Sequence, residues 1–129
     1  MRLIRASAIL AFAWCLLTEE TVLADTHLQK LNISIVSDGP WEYAEKVSGT
    51  FKKEISALLE AEFEVAFPPA KQIRGDWSIA SVRRALDDML ADDEVDLIIA
   101  LGILGSGEVC RLGPLKKPVI APYVLNPKL

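Results

Sequence analysis

The sequence predicts an α/β fold: a doubly wound parallel sheet of about four strands, with helices on both faces. Three observations lead there. Short β-branched or alternating apolar runs are separated by longer stretches whose apolar residues recur at helical spacing. One run, residues 95–101, is apolar almost throughout, as a parallel strand covered on both faces requires. The runs are bounded by Gly, Pro and Asp clusters, which end strands and helices.

Asn32-Ile33-Ser34-Ile35-Val36-Ser37 reads as the first strand, closed by the turn Asp38-Gly39-Pro40. Pro40 suits the first turn of a helix, where its missing N–H costs nothing. Ala44, Val47, Phe51, Ile55, Leu58 and Leu59 then form a helical stripe, and Gly49 inside it costs about 1 kcal/mol of propensity. Phe63-Glu64-Val65-Ala66-Phe67 alternates with period two and stops at Pro68-Pro69, which marks a second strand near a sheet edge. Residues 70–77 are polar and loop-like. Ser78 can cap a helix with Val82, Ala85, Leu86, Met89 and Leu90 on one face. Asp92-Asp93-Glu94 suits a helix C-terminus badly and predicts a sharp stop. The third strand is 95–101, followed by a glycine-rich turn over 102–107 and a short helix over 108–112. A fourth strand over 118–124 carries Pro118 and Pro122, which limit its pairing. The expected strand order is 2-1-3-4.

Ahead of this pattern, Arg2 and Arg5 precede the apolar run 6–17, and Val22-Leu23-Ala24 forms a small-residue exit before Asp25. That is the layout of a secretory signal peptide, with cleavage after Ala24 and an exported, periplasmic domain over 25–129. The run is too short to span a bilayer, which takes about 20 apolar residues. Of the two cysteines, Cys15 leaves with the signal, so Cys110 has no internal partner and is expected as a buried thiol. The 129 residues are 51% hydrophobic, which argues against disorder, and 14 basic against 18 acidic residues argue against a nucleic-acid partner.

In open α/β sheets a ligand lies outside the carboxyl ends of the strands, where the strand order reverses. The order 2-1-3-4 makes the turns after the first and third strands face each other at that point. The first turn offers Asp38, Gly39 and Trp41; the second offers Gly102 and Ser106; Tyr123 ends the fourth strand. Backbone donors near Ser106 would favour an anionic group, while Trp41 and Tyr123 would favour a flat one. The same residues also fit plain roles: Asp38 in turn chemistry, the glycines and Ser106 in a helix cap, the aromatics in packing. The glycine spacing matches neither a dinucleotide fingerprint nor a phosphate loop, which would end in Lys. Ser106 and Cys110 have no histidine partner except His27 at the mature N-terminus. No catalytic set, metal site or cofactor is expected, and the chain reads as a binding protein rather than an enzyme.

Residues 95–102 and the run Lys117-Pro118-Val119-Ile120-Ala121-Pro122 resemble the amino-terminal lobe of periplasmic substrate-binding proteins of ABC transporters, type I class. Residues 35–41, with Phe67-Pro68-Pro69 and Gly75-Asp76-Trp77, look closest to binding-like regions associated with outer-membrane efflux channels. The resemblance implies a flavodoxin-like lobe that binds a small solute in a cleft between two lobes and engages a membrane transporter or channel. Asp38, Gly39, Trp41, Gly102, Ser106 and Tyr123 would then supply one lobe's share of the cleft. A family member would continue after the fourth strand, so one half-cleft is expected here, with weak solute binding. The alternative is an envelope interaction protein that pairs through its last strand, as a homodimer or as part of an efflux-channel protein.

Overall fold

The computed structural model describes residues 27–123, and β1 (Gln29–Ser37) runs through their centre. Residues 33–36 are buried in succession, the signature of a strand covered on both faces. β4 (Leu97–Leu101) pairs with it in parallel, from Ile33 opposite Leu97 to Ser37 opposite Leu101. β2 (Phe63–Ala66) lies on the other side, opposite the first half of β1, and β5 (Val119–Ile120) lies outside β4. The order β2-β1-β4-β5 is the expected 2-1-3-4, all parallel, as in a single flavodoxin-like lobe.

Three helices cover the sheet. α1 (Ala44–Leu59) packs Val47, Phe51 and Ile55 over Ile33, Ile35, Ile99 and Leu101. α2 (Ile79–Ala91) and α3 (Ile103–Arg111) lie on the opposite face, where Val82, Ala85, Leu86 and Met89 meet Val36, Val95, Ile98 and Ala100. Ser78 caps α2 as its position predicts, its hydroxyl accepting the Ser81 N–H at 3.1 Å.

Five local expectations need correction. Pro40 does not open α1: the chain first turns, with Ala44 N–H donating to the Trp41 carbonyl, and the helix begins at Ala44. Residues 70–77 are not all loop, because Gln72–Arg74 form β3, parallel to residues 35–37 of β1. Pro68-Pro69 interrupt the edge, so β2 and β3 pair with successive halves of β1 across a 3₁₀ turn (Pro69–Lys71). In the gap, Gln72 Nε2 donates to the Ile33 and Pro68 carbonyls and the buried Ser34 hydroxyl donates to the Lys71 carbonyl, which satisfies backbone that a continuous strand would have paired. The glycines at 105 and 107 lie inside α3, not in a turn before it. Only Val119 and Ile120 of the fourth strand pair, between the two prolines. Cys110 is exposed on α3 rather than buried.

The acidic end of α2 is neutralised from elsewhere. Lys71 forms ion pairs with Asp92 and Glu94, the latter at 3.1 Å, and Lys117 Nζ donates to the Asp92 carbonyl. These cations meet the negative end of the helix, which the local sequence leaves without a basic residue. Among the described residues no helix is long and apolar enough to cross a membrane. The segment 1–24 expected as a signal peptide, with Cys15, and residue 124 of the expected fourth strand lie outside the described residues.

Candidate functional site

The crevice between the loops after β1 and β4 is where the strand order reverses, and the protein fills it with its own carboxylate. β1 delivers Asp38 to the carboxyl end of the sheet, where it is buried. Its Oδ2 accepts the Leu104 N–H at 2.8 Å and its Oδ1 accepts the Gly105 N–H at 2.9 Å. These are first-turn donors of α3, which a helix cannot satisfy internally. A negative group beside the positive end of the helix is also favoured by the helix dipole. Gly102 does not cap the helix with a side chain, so Asp38 does so from 66 residues upstream.

Glycine is required at two points around this contact. A Cβ at Gly102 would overlap the Asp38 carboxyl group, so only a residue without a side chain lets the carboxylate reach the helix. A Cβ at Gly75 would lie 2.6 Å from the Asp38 carbonyl oxygen. That close approach is needed because the loop after β3 is fastened to the loop after β1. Gly75 N–H donates to the Ser37 carbonyl and Trp77 N–H to the Asp38 carbonyl, both at 2.8 Å.

The six sequence-derived candidates therefore separate. Asp38, Gly102 and Ser106 are packed into the crevice as structure. Ser106 is fully buried; its N–H donates to the Gly102 carbonyl, and its hydroxyl donates to the Ala100 carbonyl at 3.3 Å and accepts the Tyr123 N–H at 3.2 Å. The donors expected to be free for an anion at this turn, those of Gly105 and Ser106, are thus engaged. Gly39 is buried beneath the Trp77 ring, which an added Cβ would approach to 2.7 Å. Trp41 and Tyr123 remain exposed at the rim.

Trp77 is the residue that sequence reasoning missed. It reads as part of a separate polar loop, yet the structure lays it over Gly39 beside the crevice, 54% exposed. Its φ of 68° is left-handed, a conformation that costs a bulky residue about 1 kcal/mol or more. The bond to the Asp38 carbonyl and the ring's seat on Gly39 hold it there. Asp76, next to it, accepts the Ser78 N–H at 3.0 Å, and hydrogen bonds from Ser78 and Ser81 hold its carboxyl below the usual carboxylate range. No local periodicity could have placed this loop, since its position follows from the pairing of β3 with β1.

A cavity of about 80 Å³ with a mixed polar and apolar lining opens between the start of α1 and the ends of β1, β3 and β4. Glu45 and Arg74 form an ion pair at its edge, and Lys52 sits 5.7 Å from the centre of the Phe67 ring. Gln72 also lines it, with Oε1 buried and without a partner among the described residues. A larger groove of about 280 Å³, lined by Leu90, Leu112, Pro114 and Leu115, lies at the opposite end of the sheet. No group of three or more His, Cys, Asp or Glu side chains among the described residues could hold a metal ion. No family model, curated protein or solved structure matches this chain.

Proposed function

We propose that the chain is an exported, non-catalytic solute-binding lobe that takes a small flat organic molecule at the carboxyl rim of its sheet and serves a membrane transporter or channel. The observation that carries this reading is the set of exposed rings at the rim. Trp41, Tyr43, Trp77 and Tyr123 all stand open to solvent on the loops that follow β1, β3 and β5. Rings of this kind offer flat apolar faces with polar edges, and they stand at the end of the sheet where α/β proteins hold ligands. The left-handed Trp77 supports the same reading, since backbone strain of this kind concentrates at binding sites. Because Asp38 already occupies the start of α3, this reading puts the solute outward, on the rings.

The test is a metabolite screen on the folded protein, followed by backbone amide resonances. Binding should move resonances of residues 38–43 and 75–78 and quench tryptophan fluorescence. Trp41→Ala should remove part of the quenching, and Trp77→Ala most of the rest. A screen in which every shift falls on the groove near Leu112 and Leu115, or in which none appears, would defeat the rim assignment. Export is tested separately, by mass spectrometry of the envelope-derived protein, which should begin near Asp25.

A second reading rests on a different observation. β5 is paired on its β4 side only among the described residues, and Ile120 is exposed there. An unpaired parallel edge can accept another strand, which would make the chain an interaction module. Sedimentation of the protein separates the two: an edge-paired dimer should be abolished by Ile120→Lys and left intact by Trp77→Ala.

A further inference from the structure

Resting on the solute-binding reading, we infer that the rim selects an organic cation, seated on the indole faces of Trp41 and Trp77 among carboxylates, and rejects organic anions. The first ground is the filled crevice. The two α3 donors that an anion would need are held by the buried Asp38 carboxylate. An anionic ligand would have to displace that carboxylate or lie beside its charge. The second ground is the charge of the loops. Segments 38–43, 75–78, 102–107 and 121–123 carry Asp38, Glu42 and Asp76 and contain no lysine or arginine. Arg74, at the end of β3, is ion-paired with Glu45.

The third ground is the character of the apolar surface. Indole rings attract cations through the negative faces of their π-systems, more strongly than other aromatic side chains do. Trp77 presents such a face at the rim because its ring rests on Gly39 and its backbone is tied to Asp38. Asp76 adds a neighbouring carboxylate, which accepts the Ser78 N–H, while its backbone N–H donates to the Ser81 hydroxyl. An exposed indole beside carboxylates, with the Leu104 and Gly105 donors at the start of α3 already taken, matches a flat cation in charge.

Three probes of one ring size decide the matter: N-methylquinolinium, quinoline and quinoline-2-carboxylate at pH 8, titrated into the purified chain and followed by amide resonances. The cation should bind at residues 38–43 and 75–78 at least tenfold more tightly than neutral quinoline, and the carboxylate should not saturate. Added salt should weaken the cation alone. Asp76→Asn should reduce cation affinity several-fold with little effect on quinoline, and Trp77→Ala should reduce both. Because Trp77 also packs on Gly39, Asp76→Asn keeps the test valid if Trp77→Ala does not fold. Equal affinity for cation and neutral ring, or rim binding by the carboxylate, would overturn the charge selection and leave solute binding standing. Rim resonances that none of the probes moves, or a dimer in sedimentation that Trp77→Ala dissolves, would overturn both. The second result would assign the rim to another copy of the chain.

Discussion

On one face of the sheet α2 and α3 together bury Val82, Ala85, Leu86 and Met89 against Val36, Ile98 and Ala100; on the other, α1 alone lies over Ile33, Ile35, Ile99 and Leu101. α2 places four residues fully in the core, whereas α1 buries only Ala44 and leaves Leu58 79% exposed. The helix ends differ as well. α2 is capped by Ser78, its last carbonyls are met by Lys117, and α3 is capped by Asp38. α1 has no side-chain cap and no basic residue in its last turn. Both helices carry an apolar stripe, so amphipathic pattern alone does not decide how firmly a helix is held. What decides is whether other elements close its ends and its flanks. The buried Glu108, paired with Arg83 at 2.7 Å and Arg111 at 3.2 Å, does the same between α2 and α3.

That inequality predicts a graded set of stability effects, each measurable by chemical denaturation. The largest is Leu86→Ala, which should cost about 3–5 kcal/mol because the site is fully enclosed. Phe51→Ala, on the half-buried side, should cost clearly less, about 1–2 kcal/mol. Equal losses would mean that α1 is held as tightly as α2. Hydrogen exchange sharpens the contrast, since α1 amides should open well below the free energy of global unfolding and α2 amides close to it.

Next comes Asp38→Ala, which strands two N–H donors at the start of α3 and should cost about 1–3 kcal/mol. Gly102→Ala should be similarly damaging, because its Cβ meets the same carboxylate. Once Asp38 is shortened to Ala, the second substitution should lose much of its effect. Additive losses in that double-mutant cycle would show that Gly102 is needed for another reason.

Gly49→Ala acts in the opposite direction. A Cβ there meets nothing within 4 Å, and the position is helical, so stability should rise by about 0.5–1 kcal/mol. A loss would mean that α1 is not a regular helix at that turn.

The smallest effect is set by pH at the end of α2. The Lys71 ammonium, with the Glu94 N–H, holds the Asp92 carboxyl below the usual carboxylate range, and Asp92 and then Glu94 hold the Lys71 ammonium above the usual lysine range. A depressed carboxyl stabilises the fold above its unfolded value and loses that contribution as pH falls through its lowered folded value. A raised ammonium acts in the mirror sense, losing its contribution as pH climbs past the usual lysine range. Asp92→Asn should therefore lower the unfolding midpoint at pH 7, and the gap to the parent should narrow as pH falls below the usual carboxylate range. A gap that stays constant as pH falls would assign the effect to the Glu94 hydrogen bond rather than to the charge of Asp92.

The sheet order was legible because its cause is local. Residues 95–101 are apolar except for Asp96, the stripes of α1 and α2 have period 3.6, and such alternation admits essentially one handed topology. β3 was not legible, because a three-residue strand with a single apolar residue, Ile73, carries no periodic signal. Its place comes from the Pro68-Pro69 break and from the half of β1 that β2 leaves unpaired. The start of α3 was misplaced for a related reason. Gly105 and Gly107 are poor helix formers, and the cap that overrides them stands on another strand.

The candidate site divides along the same line. That the loops after β1 and β4 meet at the rim follows from strand order, whereas the exposure of Trp41 and Tyr123 there came from the tertiary structure. That Asp38 and Ser106 are buried, that Trp77 lies over Gly39 and that Cys110 is open depends on contacts between residues far apart in the chain. Hydrophobic periods set elements and their order because they repeat over many residues and each burial adds to the same answer. A single carboxylate has no such repetition. Whether it turns to solvent, to a solute or to the end of a helix was decided only when the tertiary fold brought the unsatisfied N–H groups of Leu104 and Gly105 within hydrogen-bonding distance.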